Sequence, residues 1–175
     1  MKLMGLSSFS LAAVAALSVA CAGGPPPEKF EELPSAEELY EKGETQVADE
    51  ENGFHWFLEP DFSEPIETFQ DIIDNYPYSE YSLLSELAIA DIHFDRENYE
   101  EASSYYHDFV ELHPNHPKVA YALYRNGLCS YNQMRAADRD QAPTREAAAQ
   151  FRALLERFPS SEMAPDARVR LAEAE

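Results

Sequence analysis

Basic side chains are scarce in this sequence: lysine and arginine number 13 against 33 aspartates and glutamates, for a formal charge of −20. A nucleic-acid binder needs a basic face to displace counterions, so that class is excluded. Anionic membrane surfaces repel such a chain as well. The cysteines number two, Cys21 and Cys129, so at most one bridge could form, and an acylated Cys21 would leave Cys129 without a mate. The six glycines are scattered, so no phosphate-cradling loop exists. What is present is apolar and aromatic substance, 45% and 12% of residues, which is too much for a wholly disordered acidic chain and enough for a folded core.

The one long apolar run lies at the start. Residues 1–20 carry a single charge, Lys2, and run through Leu11 to Ala20 in Ala, Leu and Val, which reads as an export signal. A spanning helix needs roughly 20 apolar residues, whereas after Cys21 the chain turns at once to Ala-Gly-Gly-Pro-Pro-Pro. Leu17-Ser18-Val19-Ala20-Cys21 resembles a bacterial lipobox, whose cysteine is acylated and becomes the mature N-terminus; plain secretion is the alternative. Several acyl chains, at about 0.8 kcal/mol per buried methylene, hold a membrane durably. Residue 22 is Ala and not Asp, so the same resemblance implies the periplasmic face of the outer membrane. Residues 21–35 then read as a Pro/Gly-rich linker. Charge is uneven thereafter: residues 21–117 hold 3 basic and 25 acidic side chains, and residues 118–175 hold 9 and 8, eight of the nine being Arg. That asymmetry suggests two faces for two partners, or simply solvated outer helix faces. Cys129 is expected to be a small buried core residue.

An internal repeat organises the rest. Asp74-Asn75-Tyr76-Pro77, Glu111-Leu112-His113-Pro114 and Glu156-Arg157-Phe158-Pro159 end three similar segments. Eight residues before each proline stands Phe69, Tyr106 or Phe151, and twelve before stands Pro65, Ala102 or Ala147. Small Ala90 and Gly127 follow the first two prolines at equal distance, each with an aromatic, Phe94 or Tyr131, four residues on. This is the tetratricopeptide pattern of about 34 residues, in which small residues let two antiparallel helices approach and aromatics fill the gap between pairs. The expected fold is therefore all-α, a right-handed tetratricopeptide superhelix over 36–175, with repeats at about 36–77, 80–114 and 117–159 and a final helix at 163–175. Helices are expected at 36–47, 62–75, 80–95, 99–112, 117–134, 144–157 and 163–175. Capping-box spacing at Asn98/Glu101 and Asp61/Glu64 supports two starts, although Pro65 could move the second to Ser63. Loops are expected at Ala48 to Pro60 and at Met134 to Gln141. A solenoid helix cannot bury its apolar stripe alone, so Ala164, Ala167, Val169 and Leu171 are expected to cap the third repeat.

First helices of tetratricopeptide pairs line the concave side. The inward positions are Leu84, Leu87, Asp91, Phe94 and Asp95 in the second repeat, and Tyr121, Tyr124, Leu128, Tyr131 and Asn132 in the third. A mixed aromatic and acidic groove of this kind suits an extended peptide; about half of these residues could equally be core between repeats. Catalytic chemistry is not written in the sequence. His113 and His116 fall in a turn between prolines with no spaced third ligand, no serine stands in Gly-x-Ser-x-Gly, and carboxylates are everywhere. No enzyme, cofactor or metal is expected.

Several stretches together resemble the outer-membrane protein assembly factor BamD (YfiO) family: Phe69-Gln70-Asp71-Ile72-Ile73-Asp74-Asn75-Tyr76-Pro77, Leu112-His113-Pro114-Asn115-His116-Pro117, Asp138-Arg139-Asp140-Gln141-Ala142-Pro143, and Phe158-Pro159-Ser160-Ser161-Glu162-Met163. The resemblance implies a non-catalytic tetratricopeptide lipoprotein of the β-barrel assembly (BAM) machine. Such a subunit is anchored at Cys21, binds the barrel subunit BamA and accessory lipoproteins, and receives unfolded outer-membrane proteins. Proteins similar to this usually have about five repeats, with the BamA contact mainly in the C-terminal ones, which are missing here beyond Glu175. The groove would then face substrate, while the BamA contact is either reduced or rests on Met134 to Arg145, with the loop residues Asp138, Arg139 and Asp140, and on the final helix. Competing readings are a tetratricopeptide scaffold of peptidoglycan synthesis with the Tol system, and a remnant of a lytic transglycosylase.

Overall fold

A computed structural model describes residues 33–53, 60–136 and 141–175, of which 34–175 form one compact unit. The expected signal peptide, Cys21, most of the linker, the stretch 54–59 and the loop residues Asp138, Arg139 and Asp140 lie outside the described residues. Seven helices and no strand are found among those described: α1 (Ala36–Asn52), α2 (Ser63–Asn75), α3 (Glu80–Asp95), α4 (Tyr99–Leu112), α5 (Val119–Ala136), α6 (Ala142–Arg157) and α7 (Ala164–Ala174). Each packs on its successor, and α1 also meets α3 and α5 meets α7, which is the stacking of a tetratricopeptide superhelix.

The turns between repeats show why the prolines recur. α2, α4 and α6 each end on a ring-bearing residue, Tyr76, His113 or Phe158, whose N–H donates to Ile72, Phe109 or Leu154 at 2.8, 2.9 and 2.7 Å. The proline that follows cannot continue the ladder. The freed carbonyls of Tyr76, His113 and Phe158 then accept the N–H three residues on, from Ser79, His116 and Ser161. Those three residues in turn accept from Ser82, Val119 and Ala164, so one turn is built three times. Between α3 and α4 the chain reverses through a Schellman pairing, with Asn98 N–H on His93 and Glu97 N–H on Phe94. Glu97 adopts φ 62° there, a left-handed conformation more comfortable for glycine.

Close approach within each hairpin uses the small residues. A Cβ on Gly43 would stand 2.7 Å from the Phe69 ring, and one on Gly127 2.6 Å from the Phe151 ring. Ala90 occupies the corresponding place in the second repeat and is buried in one cluster with Tyr106. Phe69, Tyr106, Phe109, Phe151, Ile72, Ile89 and Leu154 are essentially fully buried, each worth about 1.5–3 kcal/mol against exposure. Cys129 is a free, buried core residue whose thiol burial pushes up to about 12, so it is chemically quiet.

Four local expectations are corrected. Asn98 precedes α4 but makes no side-chain cap bond. Asp61 does not cap in capping-box form: Phe62 is the N-cap, while Asp61 Oδ1 accepts from Ser63 N–H at 3.0 Å and Pro65 moves the start to Ser63. α1 runs on through Asn52 and α5 through Ala136, so both expected loops begin later than the apolar periodicity suggested. Ala164 and Ala167 are buried and Leu171 is half-buried, but Val169 is 56% exposed, because only one stripe of α7 meets its neighbours.

Candidate peptide-binding cavity

The first helices of the hairpins turn their inner faces on a cavity of about 1020 Å³. α1 contributes Tyr40, Glu44, Val47 and Glu51, whose three- and four-residue spacing places them on one helix face. α3 contributes Leu84, Leu87, Asp91 and Asp95 in the same way, and Lys118 and Tyr121 close the side toward the third repeat. Phe69, Ala88 and Ile92 continue the apolar lining, while Phe62 and Arg96 stand together with the guanidinium 5.7 Å from the ring centroid. Lys118 sits similarly over Tyr121, at 5.8 Å.

A polar network fixes one wall. Asp91 accepts from the hydroxyls of Tyr106 and, at 2.6 Å, Tyr121, and lies 3.2 Å from Arg125 Nη2. Arg125 Nε donates to the Tyr106 oxygen at 3.0 Å, Nη2 donates to Asp95 at 3.2 Å, and the guanidinium lies 3.8 Å from the Phe94 ring centroid. Since Arg125 belongs to α5 and its partners to α3 and α4, these contacts join two repeats. Burial, and then the Asp91 charge, push the Tyr106 and Tyr121 phenols well above their ordinary range, so both remain O–H donors at neutral pH. Asp91 therefore has its charge answered by three donors, while the Asp95 side chain is 60% exposed and offers acceptor capacity outward.

The concave positions named from the sequence separate into two groups. Leu84, Leu87, Asp91, Asp95 and Tyr121 line the cavity. Phe94 instead lies beneath Arg125 and edge-on to Tyr99. Tyr124 donates to Asp166 and Tyr131 donates to Glu173 at 2.6 Å, both acceptors being on α7, and Leu128 packs half-buried on the core. The final helix thus takes up the polar ends of the second group. Sequence reasoning missed the whole α1 wall, together with Arg96, Lys118 and Arg125. Gly43, the small residue that faces Phe69, was the available signal; no repeat-ending proline stands thirteen residues before it, as Pro77 and Pro114 do before Ala90 and Gly127.

The profile of the YfiO family, described as outer membrane lipoprotein, matches residues 34–175. The chain belongs to the YfiO family. Among curated relatives, the outer membrane protein assembly factor BamD of Caulobacter vibrioides is 34% identical over 171 residues, covering 95% of this chain and 52% of the relative. The protein of the same name from Haemophilus influenzae is 27% identical over 177 residues, covering 95% and 63%, and that from Neisseria gonorrhoeae is 29% identical over 120 residues, covering 63% and 45%. The chain therefore spans about half to somewhat under two thirds of the length of these YfiO-family relatives. Among the described residues, no helix is long and apolar enough to cross a membrane, and no group of three His, Cys, Asp or Glu could hold a metal ion. His113 Nε2 lies 3.2 Å from Glu86 and His116 Nδ1 accepts from Lys118 N–H, so the two histidines of that turn are engaged separately.

Proposed function

We propose that this chain is a non-catalytic lipoprotein subunit of the outer-membrane β-barrel assembly machinery. In this reading its cavity receives extended segments of unfolded outer-membrane proteins on their way to insertion. Cys21 carries the acyl anchor and holds the protein on the periplasmic face of the outer membrane, with residues 21–35 as spacer. The inserted loop at Asp138, Arg139 and Asp140, together with α7, meets a BamA-like barrel protein, and accessory lipoproteins join the same assembly. The observation that carries the reading is the cavity itself: a space of about 1020 Å³, walled by rings and carboxylates on first helices, in a chain of the YfiO family. Rings offer contact area to apolar side chains, and carboxylates accept from backbone N–H groups or cations, as an extended peptide requires.

Photocrosslinking in cells from a probe replacing Leu84 in the cavity, and from another replacing Arg139, tests it. Nascent barrel proteins captured at residue 84 and a BamA-like protein at residue 139 are the expected products. Capture of peptidoglycan synthases or Tol components at both positions would transfer the protein to another envelope pathway.

A further inference from the structure

The cavity has a definite charge pattern as well as a shape. Two carboxylates of its lining come from α1, Glu44 and Glu51, and two from α3, Asp91 and Asp95, against the cations Arg96 and Lys118. Glu44 and Glu51 are two helical turns apart on one face, roughly 10 Å, with Val47 between them on the same wall. Of the four, Asp91 is already satisfied by Tyr106, Tyr121 and Arg125, and Glu44 stands beside the Tyr40 hydroxyl. Glu51, on α1, is exposed, and Asp95, on α3, is 60% exposed although Arg125 reaches it at 3.2 Å; both line the cavity together with the apolar Leu84, Leu87 and Phe69. The two cations of the lining each stand near a ring of the same lining, Arg96 5.7 Å from the Phe62 centroid and Lys118 5.8 Å from that of Tyr121. Nearby, Arg125 is held over the Phe94 ring and divides its charge between Asp91 and Asp95.

The geometry points to an occupant of specific chemistry: an extended peptide segment that sets apolar side chains on the Leu84–Leu87 lining and presents lysine or arginine to Glu51 and Asp95. In an extended strand, side chains alternate between faces at about 3.3 Å per residue. A segment in which apolar and cationic residues alternate can therefore meet the apolar lining with one set and the exposed carboxylates with the other. The same segment bearing glutamate in place of the cations would bring like charges together in a lining that already carries a net negative charge. This inference rests on the peptide-receiving role proposed above and adds a charge preference to it.

Two fluorescent peptides of identical length test the preference with the full chain: one alternates Leu or Phe with Lys, and the other has Glu at every Lys position. Binding is followed by anisotropy at low and high salt for the wild type and for the doubly substituted Glu51→Gln, Asp95→Asn protein. Expected is a preference for the Lys peptide on the order of five- to tenfold at low salt, falling toward parity at high salt and in the double variant. Equal binding of both peptides would overturn the charge preference and leave the peptide-receiving role standing. Binding of neither, with no capture of barrel proteins by the residue 84 probe, would overturn both. A Lys preference unchanged in the double variant would place the cation contact outside this cavity and overturn the assignment.

Discussion

Gly127 shows how a single residue can reverse a general rule. In an exposed helix interior, alanine is better than glycine by roughly 1 kcal/mol, yet at this position a Cβ would stand 2.6 Å from Phe151 Cε1. Phe151 is fully buried and cannot swing away into solvent. Overpacking of that kind costs typically about 1–3 kcal/mol. Gly127→Ala should therefore lower stability, by about 1 kcal/mol after the propensity gain is set against it, and Phe151→Leu in the same chain should recover part of the loss. Urea denaturation of the three proteins decides the matter, and a stabilised Gly127→Ala variant would refute the close-approach argument. The pairing was half visible in the sequence: spacing from the prolines singled out Phe69, Tyr106 and Phe151 as one class and Ala90 and Gly127 as another. Gly43 escaped because that spacing is counted forward from a repeat-ending proline, and none stands at the matching distance before it. For the same reason Tyr40, Glu44 and Glu51 did not enter the expected groove.

At the scale of the element, periodicity located the helices well and capping spacing located their ends poorly. Asn98 and Asp61 have suitable residues three positions on, but the spacing does not ensure that the side chain turns inward. Backbone bonds in the Schellman pairing already orient the chain ahead of α4, and Pro65 shifts the start of α2. The capping box that forms is Ser35 with Glu38, at a place read from its prolines as the end of a linker. There Ser35 Oγ accepts from Glu38 N–H at 3.2 Å, and the Glu38 carboxylate accepts from Ser35 N–H and Oγ–H at 2.8 and 3.0 Å. The backbone bond from Ser35, then the hydroxyl bond, hold the Glu38 carboxyl below the usual range. Replacing Ser35 by alanine leaves the first of these and deletes the second. By NMR, Ser35→Ala should raise the Glu38 pKa part of the way back to its ordinary value and speed amide exchange in the first turn of α1. Unchanged titration and exchange would mean that the box does not form in solution.

For the whole molecule the decisive asymmetry is between acid and base. Tyr40, Tyr106, Tyr121 and Tyr124 all have phenols raised from the ordinary value of 10.0, Tyr124 up to about 12, with burial the largest cause for each. Their neighbours add to it: Glu44 at Tyr40, Asp91 at Tyr106 and Tyr121, and Asp166 at Tyr124, while Arg125 opposes the shift at the last three and Arg170 at Tyr124. A folded-state pKa above the unfolded one means that, above pH 10, the unfolded chain has shed protons the folded chain still holds. Stability from these groups is thus complete below pH 10 and is lost as pH rises beyond it. The carboxylate surplus acts in the same direction, because each tyrosinate is added to a chain already at −20. The Tyr106 and Tyr121 phenols tie α4 and α5 to Asp91 of α3 and the Tyr124 phenol ties α5 to Asp166 of α7, whereas the Tyr40 hydroxyl meets Glu44 within α1, so ionisation loosens the superhelix from the second repeat to the final helix. Urea midpoints measured from pH 8 to pH 11 should be level to about pH 10 and then fall steeply. In Tyr106→Phe the fall should be shallower, although that variant starts lower because Asp91 and Arg125 each lose a partner. A midpoint that holds level through pH 11 in the wild type would show that these hydroxyls are not buried donors, and would remove the polar network as the brace between the repeats.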